Sequence, residues 1–165
     1  METIVGTIIL KDGKILMVKE AKEKLLSMLE SEGFINSVVE TEVEKINEQS
    51  LKLTFNVNKG DEIIIKKANY HGSDNLEQDD FDQVSANKEI EFASWWFGQN
   101  DGEVKIDQLK YDARRINDLY FEKGYLDAQV KEPFLDIDFA SSQAKLDFFI
   151  TEGEKYTTSG IKIYL

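Results

Sequence analysis

An internal repeat with a period of roughly 90 residues constrains the fold of this chain more than any other sequence feature. Residues 21–70 and 113–163 share one order of patterns: a helical stripe, a glycine followed by an aromatic residue, and two alternating strands. A second glycine turn and a further strand close each copy. The matched positions are Gly33-Phe34 with Gly124-Tyr125, and Lys59-Gly60-Asp61 with Glu152-Gly153-Glu154. The chain is therefore predicted to reuse one small unit.

The main helix of each copy is predicted from apolar residues that recur at helical spacing. In the second copy Gly124 suits the position just after the helix, where a left-handed backbone needs no Cβ, and Tyr125 is expected to fold back onto Tyr120. In the first copy Phe34 is expected to meet Leu29 in the same way. The stripes are Leu25, Leu26, Met28 and Leu29, and then Ile106, Leu109, Ala113, Ile116 and Tyr120.

Two strands follow each main helix, because apolar and polar residues alternate there with a period of two. They are predicted at residues 39–43 and 51–57, and again at residues 126–139 and 145–151. The apolar phase of residues 126–139 shifts by one residue near Pro133, which predicts a β-bulge. A strand that contains proline also belongs at the rim of a sheet, since proline donates no ladder hydrogen bond.

We predict an α+β fold of tandem βααββ units, with a three-stranded mixed sheet and two antiparallel helices on one face. Residues 61–153 form the complete unit, whose opening strand is at residues 63–70 and whose first helix is at residues 76–87. Residues 1–60 are predicted to be a truncated unit, with residues 1–10 as the remainder of its first helix. Residues 154–165 are predicted to be the first strand of a following unit.

The composition argues against several classes of function. A net charge of −12 and a pI of about 4.6 argue against binding to nucleic acid, and against docking on anionic lipid through a basic patch. The chain has no cysteine, which excludes a disulfide framework and thiolate metal sites. No apolar run approaches the roughly 18 residues of a membrane-spanning helix.

No catalytic residue, cofactor or metal site is predicted. The only histidine, His71, precedes a glycine in a turn and is interpreted as structural. The sequence offers no Ser-His-Asp arrangement and no glycine-rich phosphate loop. A run of acidic residues lacks the glycine and the terminal glutamate of a calcium loop, so we interpret it as the start of a helix, where the dipole favours negative charge. These residues are Asp74, Glu77, Asp79, Asp80 and Asp82.

The order βααββ, the Gly-Tyr after the second helix and the strand that ends in Glu-Gly resemble the POTRA domains of the BamA family of outer-membrane protein assembly factors. The residues that carry the resemblance are Tyr111-Asp112, Arg115-Ile116, Tyr120, Lys123-Gly124-Tyr125, Ala128, Val130 and the run from Phe148 to Tyr156. The resemblance covers nearly the whole chain and is weaker in the first unit, where Phe34 replaces the tyrosine. The segment from Ala93 to Gly98 is similar to a tryptophan-bearing segment of the third POTRA domain, which implies a second–third POTRA fragment.

This resemblance implies a non-enzymatic scaffold at the periplasmic face of the outer membrane. The implied partners are unfolded outer-membrane proteins bound by β-augmentation, assembly lipoproteins, and the membrane β-barrel of the parent protein. Two other interpretations stay open: a POTRA module of a secretion or autotransporter-assembly relative, and a small-molecule-binding α+β domain. A small-molecule-binding domain needs a pocket lined by convergent polar groups, and the sequence offers no candidate residues for one.

Four segments are predicted to bind partners or to move. The stretch before Pro133 is predicted to add a client strand at the sheet rim, although the charges of Asp127, Lys131, Asp136 and Asp138 would equally protect that rim from pairing. An aromatic cluster is expected to present at least one side chain to a partner. The linker between the units is predicted to be a limited hinge. The predicted residues are Leu126, Asp127, Ala128, Gln129, Val130 and Lys131 for the client strand, Trp95, Trp96 and Phe97 for the cluster, and Lys59, Gly60 and Asp61 for the hinge. The fourth segment, residues 156–165, is expected to pair with another molecule or to lie disordered, because an unpaired strand edge recruits partners.

Overall fold

A computed structural model describes residues 8–10, 15–47, 50–90 and 102–160 of the chain. In order these form strand β1 (Ile8–Leu10), helix α1 (Ile15–Ser31), strands β2 (Val38–Asn47), β3 (Ser50–Asn58) and β4 (Ile64–His71), helix α2 (Gln78–Val84), a 3-10 turn (Ile106–Gln108), helix α3 (Leu109–Glu122), and strands β5 (Gln129–Val130), β6 (Phe134–Asp138) and β7 (Gln143–Thr151). One sheet has the order β1-β3-β2, and in the other β7 pairs with β4 on one side and with β5 and β6 on the other. Because β4 is parallel to β7 while β5 and β6 are antiparallel to it, the predicted α+β fold with a mixed sheet is confirmed.

The hairpin of β2 and β3 builds the first sheet, and α1 covers one face of it. The two strands pair antiparallel, and Val39, Leu53, Phe55 and Val57 form one buried row beneath the helix, whereas Val43 is 58% exposed. Phe34, which follows the glycine after α1, was predicted to fold back onto Leu29; it packs against the small core that contains Leu29, and its N–H donates to the Leu29 carbonyl at 2.9 Å. The buried residues of this small core are Leu29, Val39, Leu53, Phe55 and Val57.

The interpretation of residues 1–10 as the remainder of a helix is wrong for the three of them that the structure describes. Ile8–Leu10 is strand β1 and pairs antiparallel with β3, with Ile8 opposite Leu53 and Leu10 opposite Leu51. A three-residue apolar run fits the helical and the strand period equally well, so its sequence does not discriminate between them. The edge of β3 decides the outcome, since pairing there satisfies backbone donors and acceptors of both strands.

The core of the second unit lies between its sheet and the helices α2 and α3. Of the predicted stripe, Leu109 packs against the core and Ala113, Ile116 and Tyr120 are buried, whereas Ile106 lies in the 3-10 turn and is 39% exposed. Ile116 and Tyr120 are fully buried together with Phe81 of α2. The ring of Tyr70 in β4 stacks between those of Phe81 and Phe148, at centroid distances of 4.1 and 4.9 Å. Full burial of each large apolar side chain contributes about 1.5–3 kcal/mol, so this layer carries much of the stability of the unit.

The strand predicted at residues 126–139 is split in two, and the predicted β-bulge is confirmed. Gln129 of β5 lies opposite Thr151, whereas Phe134 of β6 lies opposite Asp147, so the register against β7 shifts by one residue between them. Pro133 is buried in the gap. A proline there breaks the ladder, because it has no N–H to donate.

Helix termini in the second unit follow the predicted chemistry. The backbone N–H of Glu77 donates to the Asp80 carboxylate at 3.1 Å, and this bond holds the pKa of Asp80 below its usual range. The acidic run therefore begins helix α2, as interpreted from the sequence. At the end of α3, Gly124 has a φ of +98°, and the N–H of Tyr125 donates to the carbonyl of Tyr120 at 2.9 Å.

Two buried carboxylates tie the helices to the loops of the second unit. Asp112 of α3 accepts hydrogen bonds from the backbone N–H groups of Ala86 and Asn87 at 2.7 and 3.0 Å, and from the side chain of Asn87 at 2.8 Å. Arg115 pairs with the same carboxylate at 2.7 Å. Because the carboxylate has several donors around it, burial of its charge is compensated, and the chain after α2 is fixed to α3.

Glu152, which directly follows β7, is the second buried carboxylate and is only 8% exposed. It accepts hydrogen bonds from the N–H groups of Asp74 and Asn75 at 3.0 Å each, from the Asn75 side chain at 2.6 Å, and from the Tyr120 hydroxyl at 3.0 Å. Burial alone would raise the pKa of Glu152, but the donors from Asn75, Tyr120 and Asp74 outweigh it and hold that pKa below its usual value.

We expect Glu152→Gln to lower the free energy of unfolding at pH 7 by about 1–3 kcal/mol, because an amide cannot accept all four hydrogen bonds. A carboxyl whose pKa is depressed by folding stabilises above its unfolded pKa of about 4.3 and loses that contribution as pH falls through the folded value. The difference in the free energy of unfolding between wild type and variant, measured by urea denaturation, should therefore be largest at pH 7 and shrink below about pH 4.3. Glu154→Gln, at an exposed neighbour, is the control. Equal midpoints for wild type and Glu152→Gln at pH 7 would contradict the role assigned to Glu152.

Candidate functional site: the joint and the open sheet edge

The two units meet at the glycine that ends helix α1. Gly33 has a φ of +84°, a left-handed conformation that side chains rarely adopt. Its carbonyl accepts a hydrogen bond from the N–H of Ile63, the residue before β4, at 3.0 Å. The turn of the first unit is thereby fixed to the start of the second sheet.

Side chains beside Gly33 complete this joint. Ile35 packs against the core of the second unit rather than against its own. The ammonium group of Lys59 lies 4.1 Å from the centre of the Phe34 ring, where a cation is attracted to the face of the aromatic ring. The joint therefore combines an apolar contact, a backbone hydrogen bond and a cation–π contact.

The predicted hinge, Lys59-Gly60-Asp61, runs alongside this joint. Gly60 has a φ of +70°, and a Cβ there would meet the side chain of Asn36. The carbonyl of Lys59 accepts a hydrogen bond from the Ser37 hydroxyl at 2.8 Å. These contacts hold the linker against the first unit, and hinge motion stays a prediction.

The second sheet has one covered edge and one open edge among the described residues. Along β4, the N–H of Ile65 donates to the carbonyl of Gly102 at 2.8 Å, and the N–H of Ile90 donates to the carbonyl of Ile65 at 3.0 Å. These segments occupy the outer side of β4. On the far side of β7, β5 and β6 have no further described strand beyond them. The predicted rim position is therefore confirmed.

The structure separates the six residues of the predicted client strand. Leu126 and Asp127 lie in the turn after α3, where Leu126 is 55% exposed and Asp127 accepts a hydrogen bond from the Tyr156 hydroxyl at 2.6 Å. Ala128 is buried. Only Gln129 and Val130 belong to β5, and Lys131 follows it with its N–H bonded to the carbonyl of Phe149 at 3.0 Å.

The backbone of Val130 is the open part of this edge. Hydrogen-bonding direction alternates along an antiparallel strand, and Lys131 points its N–H at β7. The N–H and C=O of Val130 consequently point away from β7, where no described strand receives them. Its side chain is partly buried against the core of the unit, which anchors the strand without closing the edge.

Trp95, Trp96 and Phe97 lie outside the described residues. Their predicted contact with a partner, and the assignment of the chain to the second and third POTRA domains that rests on them, stay predictions.

His71 lies at the end of β4, on the open face of the sheet. Its ring nitrogen is 2.8 Å from the Asp147 carboxylate, and its ring stacks on Phe149 with the centroids 5.1 Å apart. The bond to His71, together with those from Lys145 and Asn69, lowers the pKa of Asp147 to about 2. Two surface depressions lie beside α3, and neither is lined by His71 or Asp147. The position supports a structural interpretation of His71.

Within the described ranges of the chain, nowhere do three histidine or acidic side chains converge as metal ligands would. No helix there combines the length and the apolar character needed to cross a membrane.

The second unit matches a known family over its full length. The POTRA family model, described as a surface antigen variable number repeat, matches residues 63–153, which is more than half of the chain. The chain belongs to the POTRA family. The match begins at Ile63, the residue that bonds to Gly33, and ends at Gly153, the residue after Glu152.

Known relatives of this POTRA chain are outer-membrane assembly factors. The outer membrane protein assembly factor BamA of Nitratidesulfovibrio vulgaris is 27% identical over 150 residues, which cover 88% of this chain and 18% of that protein. The crystal structure of BamA from Haemophilus ducreyi lacking POTRA domains 1–3 shares the fold, with a TM-score of 0.51 at 13% identity, over 85% of this chain and 24% of that one. The chain spans about a fifth of the length of the curated relatives it matches.

We expect Ile35→Asp to loosen the joint between the POTRA unit and the unit before it, because a charge cannot stay against an apolar core. Hydrogen exchange at the amide of Ile63, which is bonded to Gly33, should accelerate about tenfold, equivalent to about 1.4 kcal/mol. Exchange at Leu146 in the central strand β7 should stay unchanged. Val38→Asp, at a nearby residue that is 52% exposed, is the matched control. Equal exchange at Ile63 in the two variants would show that Ile35 does not hold the joint.

Proposed function

We propose that this chain is a periplasmic scaffold module of an outer-membrane β-barrel assembly factor, and that it binds extended segments of unfolded outer-membrane proteins. Membership in the POTRA family and the names of the assembly-factor relatives support the scaffold role. The open edge formed by β5 and β6 is the observation that carries the binding role. No catalytic step is part of the proposal.

An added client strand would satisfy the unpaired groups of the edge. The outward N–H and C=O of Val130 offer one donor and one acceptor to an extended chain lying beside β5. Hydrogen bonds between backbones do not depend on the client's side chains, so the affinity has little dependence on sequence. That tolerance suits a module serving many different barrel proteins.

Features beside Val130 limit where a client can pair. Pro133 has no N–H to donate, and Lys131, Asp136 and Asp138 place charges along the same edge. Both features deter the pairing of another strand. Beyond the bulge, the edge begins at Phe134, whose ring is exposed. We propose that clients dock on the stretch before the proline, centred on Val130, and that the edge beyond it is protected.

Two further partners are proposed from the family resemblance: assembly lipoproteins and the membrane β-barrel of the parent protein. Assembly lipoproteins would contact the segment with Trp95, Trp96 and Phe97, since aromatic side chains are enriched at protein interfaces. In the parent protein the module would precede a membrane β-barrel. A small-molecule-binding role has little support, because the two depressions beside α3 are open rather than enclosed.

We expect Val130→Pro to abolish client binding or to weaken it about tenfold, because proline removes the outward N–H without removing a bond to β7. Val130→Ala is the matched control, since it shortens the same side chain and keeps the N–H. The measurement is an NMR titration of each protein with a peptide copied from an outer-membrane strand. Wild type and Val130→Ala should show shifts that centre on Gln129 to Lys131.

Two outcomes would reject this edge as the client site. The first is the absence of shifts in the wild type at millimolar peptide, or shifts that centre on the helices. The second is binding by Val130→Pro as tight as that by Val130→Ala. Circular dichroism of each variant checks that the fold is retained.

A further inference from the structure

We infer that helix α3 docks a second copy of this chain through its outward side, formed by Tyr111, Arg114, Asp118 and Phe121. These four residues are called the α3 face below. The inference goes beyond client binding, because it uses side chains on the solvent side of the helix rather than the backbone edge at β5. The four side chains carry it, because their order is complementary to itself.

The α3 face lies on the side of the helix opposite to the core. Its members are spaced by three, four and three residues, so they form one stripe along the helix. All four are exposed, whereas Ala113, Ile116 and Tyr120 on the other side are buried. Tyr111 and Phe121, at the two ends of the stripe, are 47% and 40% exposed. The face therefore presents two large aromatic side chains with two charges between them.

The two charges at the centre of the face have no partner among the described residues. Arg114 and Asp118 lie one turn apart, yet neither side chain forms an ion pair or a hydrogen bond within the described part of the chain. The neighbouring Arg115 differs, since its guanidinium bonds to Asp112 at 2.7 Å and to Gln108 at 2.9 Å. These are the only two arginines of the chain. Arginine is enriched at protein interfaces, and Arg114 is the one whose charge is available to a partner.

The order of the four side chains matches a twofold axis at Ile116. Arg114 and Asp118 lie two residues before and after Ile116, and the two aromatic residues lie five residues before and after it. When two copies of α3 pack antiparallel about such an axis, residues equally far from it on opposite sides come to the same level. Arg114 of one copy then faces Asp118 of the partner subunit, twice, and Tyr111 lies beside Phe121 of the partner subunit. A twofold interface requires this reciprocal match.

A second copy is the occupant that suits all four residues at once. An acidic partner would pair with Arg114 but would face Asp118 with a like charge, and a basic partner would do the reverse. An apolar partner would cover both charges without pairing them, which is costly. The net charge of −12 opposes association at long range, and physiological salt, with a Debye length of about 8 Å, screens that repulsion.

The α3 face is small, so the dimer is expected to be weak. Helix α3 has 14 residues and is therefore about 21 Å long. One pair of such helices buries less than the roughly 1,200–2,000 Å² of stable interfaces, and we expect a dissociation constant on the order of 0.1 mM. Association of this strength depends on the local concentration of the chain.

The test exchanges charges between copies and measures association by sedimentation equilibrium at millimolar concentration and physiological salt. Arg114→Asp and Asp118→Arg should each weaken dimerisation of the 165-residue chain about tenfold or more, because each places like charges opposite one another twice. An equimolar mixture of the two variants should dimerise about as well as wild type, because two acids on one copy then face two arginines on the other. Lys45→Asp and Glu40→Arg, at exposed residues of β2, are the matched controls and should leave association unchanged, alone and mixed.

The aromatic ends of the face are tested in the same way. Phe121→Ala should weaken the dimer about tenfold, because aromatic side chains contribute strongly where an interface buries them. Phe139→Ala, at a residue of the second unit that is 52% exposed but lies away from α3, should leave the dimer unchanged. Circular dichroism of each variant checks that the fold is retained.

Four results would overturn the inference. They are a wild type that stays monomeric at millimolar concentration, single charge variants that dimerise as well as wild type, a mixture that associates no better than either variant alone, and a dimer that Val130→Pro abolishes while Arg114→Asp leaves it intact. The last would place the contact between copies at the open edge. The peptide titration at Val130 uses a different surface, so the two proposals fail separately.

Discussion

The Glu152 carboxylate joins three parts of the second unit. It lies at the end of β7, receives the loop after β4 through Asp74 and Asn75, and receives α3 through Tyr120. A buried charge is tolerated only when donors surround it, so the carboxylate holds α3 and the loop after β4 in one arrangement at the end of β7.

The described part of the first unit has other residues at the positions that form this carboxylate site in the second. At the positions matched to Tyr120 and Glu152 it has Leu29 and Lys59, an apolar residue and a cation. Leu29 adds to the small core beneath α1, while Lys59 lies over the Phe34 ring. The described part of the first unit has one helix on its sheet, and the second has two.

The joint and the edge use two different kinds of recognition. At the joint, Ile35 enters an apolar core beside a backbone bond at Gly33, which fixes one partner in one orientation. At the edge, Val130 offers backbone groups alone, which accept many partners. The sequence alone predicted most of these elements: the glycine caps, the bulge at Pro133 and the rim strand. It missed that Ile35, directly after the Gly-aromatic pair of the first unit, packs against the core of the second unit.

By itself, the sequence determined what depends on near neighbours in the chain: the stripe of α3, the turn at Gly124, the alternation of β3 and the one-residue phase shift near Pro133. These follow from backbone geometry and side-chain period, which act over a few residues. Tertiary structure alone decided that Ile8–Leu10 is a strand, that residues 126–128 form a turn rather than a strand, and that Ile35 serves the core of the next unit. Each of these depends on contacts with residues distant in the sequence, and the sequence of a short segment does not specify those contacts.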